Sequence, residues 1–206
     1  MTAGPVSGPV SGPVSGPATG APRPAATQAV IDRYDGLRSM VDRALAAPVG
    51  DTEAAARTAP VLEAEARLVD ARAYGPWLDL FTADACLWIP LHPDDHPARD
   101  QALTFDDRRR LGERAWHMHD RQAWAVTRPR PLTLRQLGPV AAWPEAEGWL
   151  ATCALGLTHV RRGPPVTLAG RQVVALRDTP AGPRITAKVL LLPELTLGTP
   201  HLGWIM

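Results

Sequence analysis

The sequence predicts an α+β fold in which helices lie across the concave face of a strongly curved antiparallel β-sheet, leaving a cone-shaped interior. Three observations predict it. Apolar residues recur at helical spacing in segments between residues 28 and 123. From 132 to 193 the rhythm changes to the two-residue alternation of strands, and the breaks between those strands are short enough to join antiparallel neighbours. Helices first and a run of strands afterwards is the order of an α+β domain.

The elements follow in chain order. The first 26 residues repeat Gly-Pro-Val-Ser and hold 11 of the 39 glycines and prolines, with too few large apolar groups to offset ordering entropy, so 1–26 reads as a disordered tail. Val30, Tyr34, Leu37, Val41 and Leu45 form one face of an amphipathic helix over 28–47, which stops before Pro48-Val49-Gly50. This helix and its linker, 27–50, read as an addition to a main domain over 51–206. A second helix opens near Asp51 and runs to about Ala73, with Pro60 a candidate break. Its apolar stripe takes in Leu62, Ala66 and Val69, and Glu63, Glu65, Arg67 and Arg72 are expected to face outward. After Gly75-Pro76 a short turn carries Trp77, Leu78, Leu80 and Phe81.

Residues 83–91 alternate as a strand, Cys86 and Trp88 on one face and Leu87 and Ile89 on the other. A polar, Pro-broken loop covers 92–100. Thr104 and Asp107 stand three apart, the spacing of a capping box, which places a third helix start at Thr104 with Leu111, Ala115 and Met118 on its buried face. Strands are expected at 132–143 with a break at Gly138-Pro139, at 148–160, at 166–177 and at 184–193. Both faces of the 148–160 strand are apolar or small, so it should be covered on both sides. Thr179 to Pro183 has the length and composition of a hairpin turn.

Charge narrows the function classes. The chain carries 22 basic and 21 acidic residues, only Arg23 lies in the tail, and the body has no net field to gather a polyanion. Nucleic acid is an unexpected partner. Lys188 is the only lysine, read as compositional bias toward arginine, and the run Arg108 to Arg110 reads as a solvated helix face. Cys86 and Cys153 lack CxxC spacing and are expected as buried free thiols. The start of the sequence has no basic region followed by an apolar one, and no stretch reaches the length of a membrane span, so a cytoplasmic location without membrane contact is expected.

Three stretches carry a family resemblance. The first, LEAEARLVDARAYGPWLDLFTADACLWIPL over 62–91, holds a Glu-containing helix, a Trp-Leu-x-Leu-Phe turn and Thr-x-Asp-Ala before an aromatic strand closed by Pro. The second is Phe105-Asp106-Asp107-Arg108 with Leu111 and Arg114; the third is Gly170-Arg171, then Arg184-Ile185 and Lys188-Val189-Leu190. The chain thereby resembles the small (beta) subunit of Rieske-type aromatic-ring-hydroxylating dioxygenases, whose fold is the cone of nuclear transport factor 2 and of SnoaL-like proteins. One segment departs from that family: Arg128-Pro129-Arg130-Pro131-Leu132-Thr133-Leu134-Arg135 lacks the Ser and the Asn found there.

The resemblance implies a non-catalytic assembly subunit that supports a large (alpha) subunit in aromatic compound catabolism. The Rieske iron-sulfur cluster and the mononuclear iron would belong to that partner, with no cofactor in this chain. A hetero-hexamer of three large and three small subunits is implied, with the small subunits associating as a trimer. Interfaces favour aromatic and arginine anchors, which makes Arg108, Arg110, Trp116, Trp124, Arg135, Trp143 and Trp204 the interface candidates. Metal ligation is not supported by spacing: His92 and His96 sit in a loop broken by prolines, and His117 and His119 diverge on a helix. The alternative is a stand-alone enzyme of the same fold, of dehydratase or isomerase type. It would need a buried acid or base, for which Asp84, His159 and Asp107 are the candidates.

Overall fold

A computed structural model describes residues 25–47, 49–119, 129, 132–161 and 163–193. The Gly-Pro-Val-Ser repeat, Trp124 and Trp204 lie outside the described residues. Chain order is α1 (Ala25–Ala46), α2 (Thr52–Asp70), α3 (Tyr74–Leu78), β1 (Phe81–Pro90), β2 (Ala102–Asp107), α4 (Arg108–His119), β3 (Leu132–Leu137), β4 (Ala141–Glu145), β5 (Gly148–Val160), β6 (Val166–Arg177) and β7 (Arg184–Leu191).

Helix α2 forms because Asp51 caps it, its carboxylate accepting the Ala54 N–H at 2.7 Å, and because Leu62, Glu65, Ala66 and Val69 recur on one buried face. Pro60 does not break it. Pro60 and Ala56, whose carbonyl loses its helical donor, are both exposed, so hydration is open to that carbonyl. The helix ends at Asp70, earlier than the pattern suggests: Arg72 turns to φ +58°, and the N–H groups of Arg72 and Ala73 return to the carbonyls of Val69 and Leu68.

The seven strands lie in the order β2-β1-β7-β6-β5-β3, with β4 also paired to β5. Neighbours are antiparallel except β1 and β7, which are parallel. The expected all-antiparallel sheet is therefore corrected at one pair. The chain returns to β1 only after β2, α4 and the whole meander, and a connection of that length permits a parallel neighbour. Residues 132–143 divide into β3 and β4. At the β6–β7 turn Gly182 takes φ +92°, and its N–H reaches the Thr179 carbonyl at 2.8 Å.

The capping-box reading of Thr104 is corrected. Residues Thr104 to Asp107 extend β2 against β1, Thr104 opposite Ile89 and Asp107 opposite Cys86, and α4 starts at Arg108. Cross-strand pairing overrides the local signal, and the edge-to-face contact of Phe105 with Tyr34 of α1, at 5.2 Å between ring centroids, holds the strand in place. Asp107 still caps the helix, one turn later than expected, by accepting the Arg110 N–H at 2.8 Å.

The sheet separates two apolar layers. Its inner face, with Leu87, Ile89, Cys153, Leu155, Val174 and Leu190, packs under α2, α3 and α4 through Leu62, Val69, Trp77 and Leu111. Its outer face, with Cys86, Trp88, Leu150, Val173 and Val189, packs under Leu37, Met40, Val41 and Ala44 of α1. The alternation in β1 falls as the sequence indicates. Helix α1 is thus a cover on the far side of the sheet, and Gly50 lets the linker to α2 lie against β4, where a Cβ would stand 2.6 Å from the Ala142 nitrogen.

Candidate functional site

The inner face holds a cluster of polar groups inside the apolar layer. Glu65 enters it from α2 because residues 62, 65, 66 and 69 share one stripe; Lys188 enters from β7, on the same side as Leu190. The Lys188 Nζ donates to Glu65 Oε1 at 2.7 Å, and the indole N–H of Trp77 donates to the same oxygen at 3.0 Å. Glu65 is 3% exposed, Lys188 2% and Trp77 fully buried. Beside them the Gln172 amide donates to Cys153 Sγ at 3.0 Å, and burial pushes the Cys153 thiol above its ordinary pKa. Glu65 was expected outward; it faces the core instead, because Lys188 supplies a countercharge and Trp77 a donor. The signal that could have found it was present: an acid at i+3 of an apolar stripe, and one lysine in an arginine-rich chain.

A second polar clamp closes the far end of α2. Asp70 accepts the backbone N–H of Arg135 at 2.7 Å and the Thr133 hydroxyl at 2.9 Å, and its other contact is the Arg135 guanidinium at 2.5 Å. The Arg135 side chain is 1% exposed. This interface candidate therefore acts inside the fold, holding β3 to α2. His159 is buried at the end of β5, in register with Thr133. Asp106, also buried, accepts from Arg114 Nε at 2.9 Å.

The remaining candidates are on the outside. Asp84 pairs with Arg177 through two contacts, 3.0 and 3.3 Å, and those hydrogen bonds lower its pKa from 3.8 to about 2. It is an ionised surface carboxylate. Asp84 lines an outer cleft of about 510 Å³ between α1 and the β4–β5 turn, with Arg33, Arg43, Glu145 and Glu147 on its rim. Asp107 is exposed and committed to the α4 cap. Asp84 and Asp107 are exposed and engaged with Arg177 and the Arg110 N–H, while His159 is buried at the end of β5 against β3 and β6, so the three candidates of the enzyme reading are not brought together. Arg110 and Trp116 are exposed on α4, Arg108 is half-buried along it, and Trp143 packs against the outer layer under α1.

An iron-sulfur cluster or a mononuclear iron site does not fit these residues. Cys86 and Cys153 are buried on opposite faces of the sheet. His96 is engaged with Asp35 at 3.1 Å and with the Ala98 N–H, and no group of three or more His, Cys, Asp or Glu side chains converges on a metal position among the described residues.

The comparisons agree with this architecture. The beta subunit of benzoate 1,2-dioxygenase from Burkholderia mallei superposes with a TM-score of 0.57 at 21% identity, over 71% of this chain and 93% of that one. Naphthalene 1,2-dioxygenase, in a structure with indole bound in its active site, superposes with a TM-score of 0.67 at 16% identity, over 88% of this chain and 98% of that one. At such identities these likenesses establish the fold. No curated protein matches the sequence. The family described as ring hydroxylating beta subunit matches residues 64–198, a span that takes in Glu65, Asp70, the Asp106–Asp107 pair, Arg114 and Lys188. With well over half of its length matched, the chain belongs to the ring hydroxylating beta subunit family.

Proposed function

We propose that the chain is the assembly subunit of an aromatic-ring-hydroxylating dioxygenase and contributes no catalytic residue of its own. The observation that carries this reading is the interior: Lys188 and Trp77 both donate to Glu65, so the polar groups a cone-fold enzyme would turn on a substrate serve the core. The outer surface is then the working part. Its partner is a large subunit of the Rieske type, which holds the iron-sulfur cluster and the mononuclear iron, in an assembly of three large and three small subunits built on a trimer of this chain. The repeat segment ahead of α1 is a tail, α1 and its linker to residue 50 are an addition, and 51–206 is the assembly domain. The setting is cytoplasmic breakdown of aromatic compounds; within the described residues, no helix is long and apolar enough to cross a membrane.

Co-expression with a Rieske-type large subunit, followed by light scattering on the purified complex, tests the reading. A hetero-oligomer in which iron travels with the large subunit is expected. Turnover of a small molecule by the chain alone, abolished by substituting Asp84 or His159, would replace it with the enzyme reading.

A further inference from the structure

Helix α4 and the strand before it carry four arginines, Arg108, Arg109, Arg110 and Arg114, and three carboxylates, Asp106, Asp107 and Glu113. Every carboxylate is committed. Asp106 pairs with Arg114, Asp107 caps the helix through the Arg110 N–H, and Glu113 pairs with Arg109. Asp100, on the neighbouring loop, accepts the His96 N–H at 2.7 Å. The guanidinium groups of Arg108 and Arg110 have no carboxylate partner among the described residues.

Arg110 also stands where two surface clefts meet. One, of about 370 Å³, is lined by Arg109, Glu113 and His117; the other, of about 430 Å³, by Tyr34, Asp100 and Phe105; Asp106, Arg110 and Arg114 border both. Trp116 is 61% exposed on the same helix, about 120° around its axis from Arg110 at 100° per residue. Arg110 and Trp116 leave the helix in different directions, but an exposed indole and an exposed guanidinium without a carboxylate partner among the described residues are each of the kind that anchors an interface, and arginine matches a carboxylate fork.

We propose that the outer face of α4 docks an acidic segment of the large subunit, with a carboxylate seated on Arg110 between the two clefts and an apolar side chain on Trp116. The charge left over on the helix selects the partner: it fits an Asp- or Glu-bearing segment and disfavours a second copy of the same arginine face. This inference rests on the assembly reading above.

The test uses the full-length chain with a co-expressed Rieske-type large subunit. Arg110→Glu should weaken the complex by about 30-fold or more, Trp116→Ala should weaken it by a smaller factor, and the unsubstituted complex should loosen as salt is raised. Both residues are exposed, so a thermal melt matching that of the unsubstituted chain verifies folding. A complex that forms with Arg110→Glu as tightly as without it overturns the inference and leaves the assembly reading intact. Loss of self-association by Arg110→Glu, with large-subunit binding unchanged, also overturns it. Failure of the unsubstituted chain to bind any large subunit removes the assembly reading and the inference together.

Discussion

The inner face of the sheet and the outer face of α4 both carry charge, and they treat it in opposite ways. Inside, one cation and one carboxylate sit at 2.7 Å with an indole N–H on the same oxygen. Outside, carboxylates are divided among caps and neighbours, and Arg108 and Arg110 have no carboxylate partner among the described residues. The dielectric explains the contrast. A lone charge among Leu62, Leu87 and Leu190 would cost several kcal/mol in lost hydration, whereas at the surface water solvates a guanidinium that has no partner. Charge in the interior therefore specifies the fold, and charge on the helix surface remains free for contact with another molecule.

The comparison can be broken most forcefully at Lys188. Lys188→Met strands the Glu65 carboxylate and should lower unfolding stability by about 3–5 kcal/mol in urea titrations, whereas Lys188→Met combined with Glu65→Leu should recover most or all of that loss. A double variant as unstable as the single one would mean that the pair is not the reason for the loss. Asp70→Asn, which weakens the hold on Arg135 and β3, should cost about 2 kcal/mol in the same assay. Removing the α4 cap with Asp107→Ala should cost about 1 kcal/mol and leave the interior intact, as reported by unchanged near-ultraviolet circular dichroism from buried Trp77 and Trp88.

The smallest effect belongs to the surface pair. Asp84→Asn should cost no more than about 1 kcal/mol, because its ion pair with Arg177 is exposed to water and salt. Its pH dependence has a fixed sign. The folded-state pKa lies near 2, below the ordinary 3.8, so the contribution is present above 3.8 and fades as pH falls toward 2. Stability measured between those pH values should therefore fall less steeply in Asp84→Asn than in the unsubstituted chain.

Much of this was legible in the residues. The faces of β1 and the turn at Thr179–Pro183 follow from alternation and turn chemistry, which act over a few positions, whereas the cover expected on both sides of β5 holds only for its first part: Leu150 and Thr152 are buried on the outer face, but Ala154 is exposed. The arginine run at 108–110 was placed correctly on a helix. Two readings failed where distant chain segments outvoted local pattern. Thr104 to Asp107 has the spacing of a capping box, yet pairing with β1 made it strand. Glu65 has the chemistry of a surface residue, yet its helical position was that of a core one.

By itself the sequence determined the class of fold, the amphipathic faces and the likeness to a known family, because periodicity and motifs are short-range properties. Only the tertiary structure decided which polar residues belong to the core. Glu65 and Lys188 are 123 residues apart, and neither reveals its partner until α2 is laid on β7. The cost of burying a charge is set by what surrounds it after folding, and that environment is assembled from segments no local window contains.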